Sequence, residues 1–407
     1  MLKTISVHQV RMGMFIYSLK GSWIDHPFWK KAFKLEDEDD LNKLHSSGVK
    51  EVIIDTSKGR DVAAEKPIEI IEESPEAGQD NLVVVVQQIK RTSIDEERVH
   101  AKRIIENSKE AVVSMFDDVR MGKAIDAESA SPLVEEISAS LDRNEGALIS
   151  LVRLKASDDY TYMHSVAVCA LMISLARELD LPESEVRRAG MGGLLHDIGK
   201  AMIPIEVLNK PGALTEKEFN LVKLHPEQGY ALLKQGSVTD EVALDICLHH
   251  HEKIDGTGYP FKLNGSQISL FAKMGAVCDV YDAVTSNRPY KPGWEPGVSL
   301  QRMAQWESHF DQKVFQAFVK CVGIYPVGSV VLLKSGRLAL VIDQSAKNLL
   351  TPIVKVFFST KSKIRIPMDV LDLSKPGVND QIIGHENPEK WGLCHVNELW
   401  DQNELWG

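Results

Sequence analysis

In Gly192-Gly193-Leu194-Leu195-His196-Asp197-Ile198-Gly199-Lys200 a histidine sits directly beside an aspartate, after two apolar residues and ahead of a Gly-Lys pair. Neighbouring imidazole and carboxylate groups can both reach one metal ion held against a helix edge, and a single carboxylate can bridge two. Lys200 lies about one helical turn beyond Asp197 if the helix continues, where it can meet an anionic substrate at the same centre. An isolated His-Asp pair is more often a capped helix with a satisfied histidine. The residues on either side of this stretch change that balance.

Upstream, His164 stands in Tyr160-Thr161-Tyr162-Met163-His164-Ser165, which opens an apolar helix running through Leu179. Downstream, His225-Pro226-Glu227 follows an amphipathic helix that begins near Thr215, where Glu218 completes a capping-box pattern. His249-His250-His251-Glu252 then precedes Asp255-Gly256-Thr257-Gly258-Tyr259-Pro260. Last comes Asp279-Val280-Tyr281-Asp282-Ala283, followed by Asn287-Arg288-Pro289-Tyr290-Lys291. His164, His196, Asp197, His225, His250, His251 and Asp279 are the candidate metal ligands, all within a mainly helical stretch from about 158 to 325. Imidazole and carboxylate donors suit iron, manganese, nickel or zinc, and the absence of ligand cysteines argues against a structural zinc knot. If Asp197 is shared, these side chains fill most of the donor positions of two six-coordinate cations and leave some open. That is the layout of a two-metal hydrolase clamping a phosphate.

The remainder of the chain frames this segment. Residues 1 to about 60 read as a small α+β unit. Lys3 to Val10 alternates loosely, an acidic run from Glu36 to Asp40 opens a helix ending at Gly48, and Val49 to Asp55 forms a strand. Trp23, Phe28, Trp29 and Phe33 fit a small packed core. Residues 57 to about 80, with Pro67, Pro75, Gly78 and many acids, read as a linker. A helical pattern runs from about Ser93 to Met121, with further helices expected over 127–142 and 144–156. After about 325 the pattern changes to short strands and turns, a β appendage of hairpins, and 376–407 reads as a poorly ordered tail. The expected architecture is mainly α, with domains at 1–92, 93–157 (connecting helices), 158–325 (the catalytic domain) and 326–407. On this division the chain up to about 145 is dispensable for chemistry.

Composition sets outer bounds. The net charge is 47 − 58 = −11, which speaks against broad binding to nucleic-acid polymers. Cysteines at 169, 247, 278, 321 and 394 form no CxxC, which suits a reducing compartment. No signal peptide is visible, and no apolar run approaches the roughly 20 residues that span a bilayer, so a cytoplasmic protein without a membrane partner is expected.

With these residues in hand, the chain resembles the HD-GYP family of cyclic di-GMP phosphodiesterases, a branch of the HD hydrolase superfamily. His196-Asp197-Ile198-Gly199-Lys200 resembles its HD motif. His250-His251-Glu252 with Asp255 to Pro260 resembles its HHE and GYP motifs, and Asp279 to Lys291 its last ligand and substrate-contact segment. Residues 1 to about 60 resemble a domain of unknown function that often precedes HD-GYP domains. The resemblance implies that His164, His196, Asp197 and Asp279 hold one cation, and His225, His250 and His251 a second, with Asp197 bridging. Asp197 and Lys200 become the catalytic residues, and Lys200, Arg288 and Lys291 the phosphate contacts. Implied too are iron or manganese as the metals, with nickel or zinc behind them, cyclic di-GMP as substrate, and a GGDEF-type cyclase as partner of the Gly258-Tyr259-Pro260 loop. Tyr160 stands where some family members carry a glutamate that supports a third metal, which favours two. A catalytically weak cyclic-dinucleotide sensor and a hydrolase of hybrid cyclic GMP-AMP are the competing readings.

Overall fold

The computed structural model describes residues 2–20, 32–35, 37, 40–41, 44–45, 49, 51–60, 92, 94–153, 160–236, 238–286, 293–345 and 348–393. Trp23, Phe28, Trp29, Arg288, Lys291 and Cys394 lie outside them.

The first compact unit spans Met1–Lys90. Its strands are β1 (Leu2–Ser6), β2 (Phe15–Lys20), β3 (Phe33–Lys34) and β4 (Glu51–Asp55), paired in the order β1-β4-β2-β3. Ile5, Ile16, Val52 and Ile54 meet Leu35 and Leu44 in one buried core, with Phe33 packed against it. Residues 40–41 and 44–45 are helical, in the region where the acidic run was expected to start a helix.

The second unit spans Arg91–Gly407. It contains α1 (Ile94–Arg120), α2 (Ser131–Arg153), α3 (Tyr160–Glu178), α4 (Glu183–Leu195), α5 (Ile205–Leu208), α6 (Glu216–Val222), α7 (His225–Gln235), α8 (Glu241–His249), α9 (Leu270–Thr285), α10 (Pro296–Ala304) and α11 (Gln312–Val322). α3 is apolar on nearly every face: Val166 through Ile173 are all buried, which marks a helix enclosed by others. α2, α4, α9 and α11 surround it, and α1 lies against both α2 and α3. Side-chain caps fix the helix starts. Thr215 and Glu218 make the expected capping box on α6, Asp240 caps α8, Ser269 caps α9 and Asp311 caps α11.

Helix α2 joins the two helices expected over 127–156, with its ladder broken at Asn144 (φ −163°, ψ 107°). Asn144 Oδ1 accepts the N–H of Ala147 and so caps the second half. Glu97 near the start of α1 is fully buried and takes bidentate hydrogen bonds from Arg143 (2.6 and 2.9 Å) and one from Ser140 (2.7 Å). The helices expected as connectors are thus packed into the same unit as α3 and α4.

A five-stranded antiparallel sheet follows, built from β5 (Val330–Leu333), β6 (Arg337–Asp343), β7 (Ile353–Ser359), β8 (Ile364–Asp372) and β9 (Ile382–His385) in the order β8-β7-β6-β5-β9. Leu338 and Leu340 enter one core while Ala339 and Val341 enter the other, so the period-two pattern buries both faces of β6. The tail expected over 376–407 is corrected as far as residue 393. β9 pairs with β5, and Trp391 packs against Phe358 at 5.8 Å, because Ile382, Trp391 and Leu393 supply apolar surface that the sheet buries.

Candidate metal centre

The sequence breaks α4 at the needed point. The helix ends at Leu195, His196 is its C-cap, and Asp197 starts a 3-10 turn over Ile198–Met202. Lys200 therefore sits on a tightened turn rather than on a continuing helix. Its ammonium meets Asp197 Oδ2 at 2.5 Å. Gly199 lets this turn press on α7, since a Cβ there would lie 2.0 Å from the carbonyl oxygen of His225. His225 opens α7, His250 caps α8 with His251 next to it, His164 lies in the first turns of α3, and Asp279 lies mid-way along α9.

All seven candidate ligands come together as two adjoining donor sets. His164, His196 and Asp279 form one; Asp197, His225, His250 and His251 form the other, with the ligand atoms of each set within 4.8 Å of one another. Asp197 stands at the junction. Its Oδ2 faces His196 Nε2 (3.3 Å) and His164 Nε2 (3.5 Å), while its Oδ1 faces His225 Nε2 (3.2 Å) and His250 Nε2 (3.8 Å). One carboxylate oxygen is thus directed at each set.

The outer faces of the imidazoles are fixed. His196 Nδ1 lies 2.7 Å from the Gly193 carbonyl, His225 Nδ1 2.7 Å from that of Val222, and His250 Nδ1 3.0 Å from those of Ile246 and Cys247. His164 Nδ1 lies 2.6 Å from Asp282 Oδ2. At His196, His225 and His250 these carbonyl acceptors put the proton on Nδ1 and turn the Nε2 lone pair inward, the tautomer that binds a cation, while His164 Nε2 lies 2.9 Å from Asp279 Oδ1. Nε2 atoms face one another at 3.3 Å in the pairs His164–His196 and His225–His250, a spacing that suits a shared electrophile between them.

The electrostatics agree. Burial disfavours charge on Asp197, yet Lys200 and His196 outweigh it and hold the carboxyl well below its ordinary range. Burial opposes Asp279 in the same way and His164 outweighs it. Burial keeps His250 and His251 neutral, the latter down at about 3. Ionised carboxylates beside neutral His250 and His251 are the protonation states of metal ligands. Burial opposes charge on His164, but Asp279 and Asp282 outweigh it and raise its imidazole, so a cation binding there displaces a proton. Asp197 Oδ1 is buried with no hydrogen-bond partner among the described residues, a cost that a bound cation would remove. By this test the donor set fits divalent metal ions.

His249 stands outside both sets, held by Asp245 at 2.8 Å. Asp282 was read only as part of a motif. Its functional signal was the spacing, since three residues past Asp279 is the same face of α9. Glu252 was likewise read without a role, although it is 2% exposed and both of its carboxylate oxygens accept backbone N–H groups of the following loop.

A helical core that brings His and Asp donors from five helices to one point defines the class of HD-domain hydrolases. A family model described as an HD domain matches residues 137–314, and one described as a domain of unknown function, DUF3391, matches residues 2–130. A cyclic di-GMP phosphodiesterase of Pseudomonas aeruginosa is 55% identical over 401 residues, covering 98% of this chain and 96% of its own. A cyclic di-GMP phosphodiesterase response regulator of Xanthomonas campestris is 46% identical over 149 residues, 36% of this chain and 39% of its own. A 3'3'-cGAMP-specific phosphodiesterase of Vibrio cholerae is 34% identical over 169 residues, 41% of this chain and 32% of its own. The chain belongs to the HD-GYP family. Among the described residues no helix is long and apolar enough to cross a membrane.

Proposed function

We propose that this chain is a metal-dependent phosphodiesterase that opens cyclic di-GMP to linear pGpG in bacterial signalling. The observation that carries the proposal is Asp197, buried between the two donor sets with one oxygen turned to each. His164, His196 and Asp279 would hold one cation and His225, His250 and His251 the other, with Asp197 common to both. When bound, two divalent cations, iron or manganese by preference, would lower the pKa of water and offset charge on the phosphate. Asp197 and Asp279 contribute the negative charge that retains them, and the fixed Nδ1 contacts keep the imidazoles aligned. Lys200, already drawn to Asp197, presents its ammonium to the phosphate oxygens, and Arg288 and Lys291 grip the substrate from the segment after α9.

The full-length identity to a cyclic di-GMP phosphodiesterase supports this substrate over a hybrid cyclic GMP-AMP. The intact donor set supports an enzyme over a sensor. Buried free thiols at Cys169, Cys247 and Cys278 support work in the reducing cytoplasm. A GGDEF-type cyclase as partner would meet the loop at Gly258-Tyr259-Pro260, beside which Phe261 is 52% exposed. The test is purified chain loaded with iron or manganese under reducing conditions and given cyclic di-GMP and hybrid cyclic GMP-AMP separately, with products resolved by chromatography. Release of pGpG from cyclic di-GMP is expected, and GMP in the same chromatogram would extend the reaction by one step. No product from cyclic di-GMP with two metals bound would overturn the assignment.

A further inference from the structure

Four of the five ligand histidines have an outer nitrogen held by a carboxylate or a backbone carbonyl, and their side chains are 2% exposed or less. His251 is different. Its Nδ1 faces inward to Asp279 Oδ2 at 3.6 Å, its side chain is 21% exposed, and among the described residues no acceptor holds its outer nitrogen. The Tyr259 ring lies on it instead, stacked at 4.6 Å between centroids with 27° between the planes.

Tyr259 is itself fixed from behind. Its N–H donates to the His251 carbonyl at 3.2 Å. Glu252, the residue after His251, accepts the N–H of Phe261 on Oε1 (2.7 Å) and that of Leu263 on Oε2 (3.0 Å). Gly258 passes so near that a Cβ would lie 2.4 Å from Lys253 N and 2.7 Å from the His251 carbonyl oxygen, so no side chain fits there. The loop thus folds back on the residues that precede it and delivers one aromatic ring onto one imidazole.

We propose that Tyr259 is a positioning residue for His251. Its ring does for this one ligand what carbonyls and Asp282 do for the other four, and Glu252 holds the loop that carries it. An imidazole with one face on a fixed ring loses the side-chain rotations that would swing its inner nitrogen away from the cation, and aromatic pairs at this spacing attract beyond the area they bury. The inference rests on the reading of His251 as a ligand. It also assigns a task to the conjunction of the His250-His251-Glu252 and Gly258-Tyr259-Pro260 motifs that needs no partner protein.

The test is titration of metal-stripped full chain with Mn²⁺ against a competing chelator, reading the number of ions and the dissociation constant of each, with circular dichroism to establish folding. The wild type should take two ions. Tyr259→Phe, which keeps the ring, should match it. Tyr259→Leu should weaken one of the two ions about 10–100-fold, the range for a lost partner behind a ligand, and leave the other unchanged. Glu252→Gln, which loses one acceptor, should move the same ion in the same direction. Two ions at wild-type constants in Tyr259→Leu would overturn the proposal. Should that variant fail to fold, wild-type constants in Glu252→Gln overturn it equally. A wild-type chain that takes a single ion overturns the ligand reading and this one together.

Discussion

Gly199→Ala tests how tightly the two donor sets are coupled through backbone. A Cβ at position 199 would lie 2.0 Å from the His225 carbonyl oxygen, 2.5 Å from Gly229 N and 2.9 Å from the His225 carbonyl carbon. All three are backbone atoms of α7, so no rotamer change relieves the clash. Ordinary contact begins near 3.4 Å, so the first turn of α7 must retreat by 3.4 − 2.0 = 1.4 Å, or the turn carrying Lys200 must move by as much. Strain of this kind typically costs about 1–3 kcal/mol. The functional loss should be larger, because ligand distances are held to about 0.2 Å and His225 moves with its helix. The expected variant is folded, unfolds at lower denaturant, and loses the cation shared by Asp197 and His225, with kcat falling more than KM. Chemical denaturation and metal analysis read the two effects separately. Two ions bound at wild-type affinity with an unchanged unfolding midpoint would refute the argument from close approach.

Asp282→Asn keeps the shape of the contact to His164 Nδ1 but removes its charge, and should weaken metal affinity about 10–100-fold, measured by chelator competition; unchanged affinity removes Asp282 from the centre. Arg288→Ala and Lys291→Ala should raise KM with metal content unchanged, each by about 1.5–3 kcal/mol of lost charge-assisted contact, and wild-type KM in both would place the phosphates elsewhere. Burial and nearby Lys253 lower the His309 imidazole from 6.5 to about 4. As pH falls the unfolded chain takes the proton first, so stability is full above 6.5 and is lost progressively from 6.5 down towards 4. In metal-stripped protein His309→Gln should lose less stability across that window, and identical pH slopes by denaturation would dismiss the effect. A chain of residues 91–407 should fold and bind two metals, whereas one beginning near 145 should show no cooperative melt by circular dichroism, since the cut removes α1 and the buried Glu97 contacts. A cooperative, metal-loaded 145–407 fragment would support the division drawn from sequence.

The candidate donor residues were legible because each side chain announces its chemistry and the motifs crowd into one helical stretch. The caps were legible for a similar reason: Thr215 with Glu218 is a local pattern completed by local atoms. What sequence withheld is chiefly non-local. Asp282 touches His164 from 118 positions away, and its spacing from Asp279 gives a shared helix face but not that partner. α1 reads as an isolated amphipathic helix until Glu97 is seen buried against Arg143 and Ser140. β9 failed to register as a strand because Ile382-Ile383-Gly384-His385 is too short to show a period, and only β5 gives it a partner. The end of α4 at Leu195 was also hidden, since Asp197 and Lys200 suit a helix and a tightened turn equally.

The interruption at Asn144 bears on how the helical unit comes apart. A helix of 23 residues would ordinarily transmit fraying along a single hydrogen-bond ladder. Here Asn144 starts a second ladder with its own cap, and Thr92 bonds the Arg143 carbonyl from outside while its own carbonyl accepts the Asn144 amide. The two halves of α2 become separate cooperative segments, riveted at their junction by the chain that enters α1. In amide exchange they should open with different free energies, and detaching Thr92 should merge neither with the other but loosen both at once.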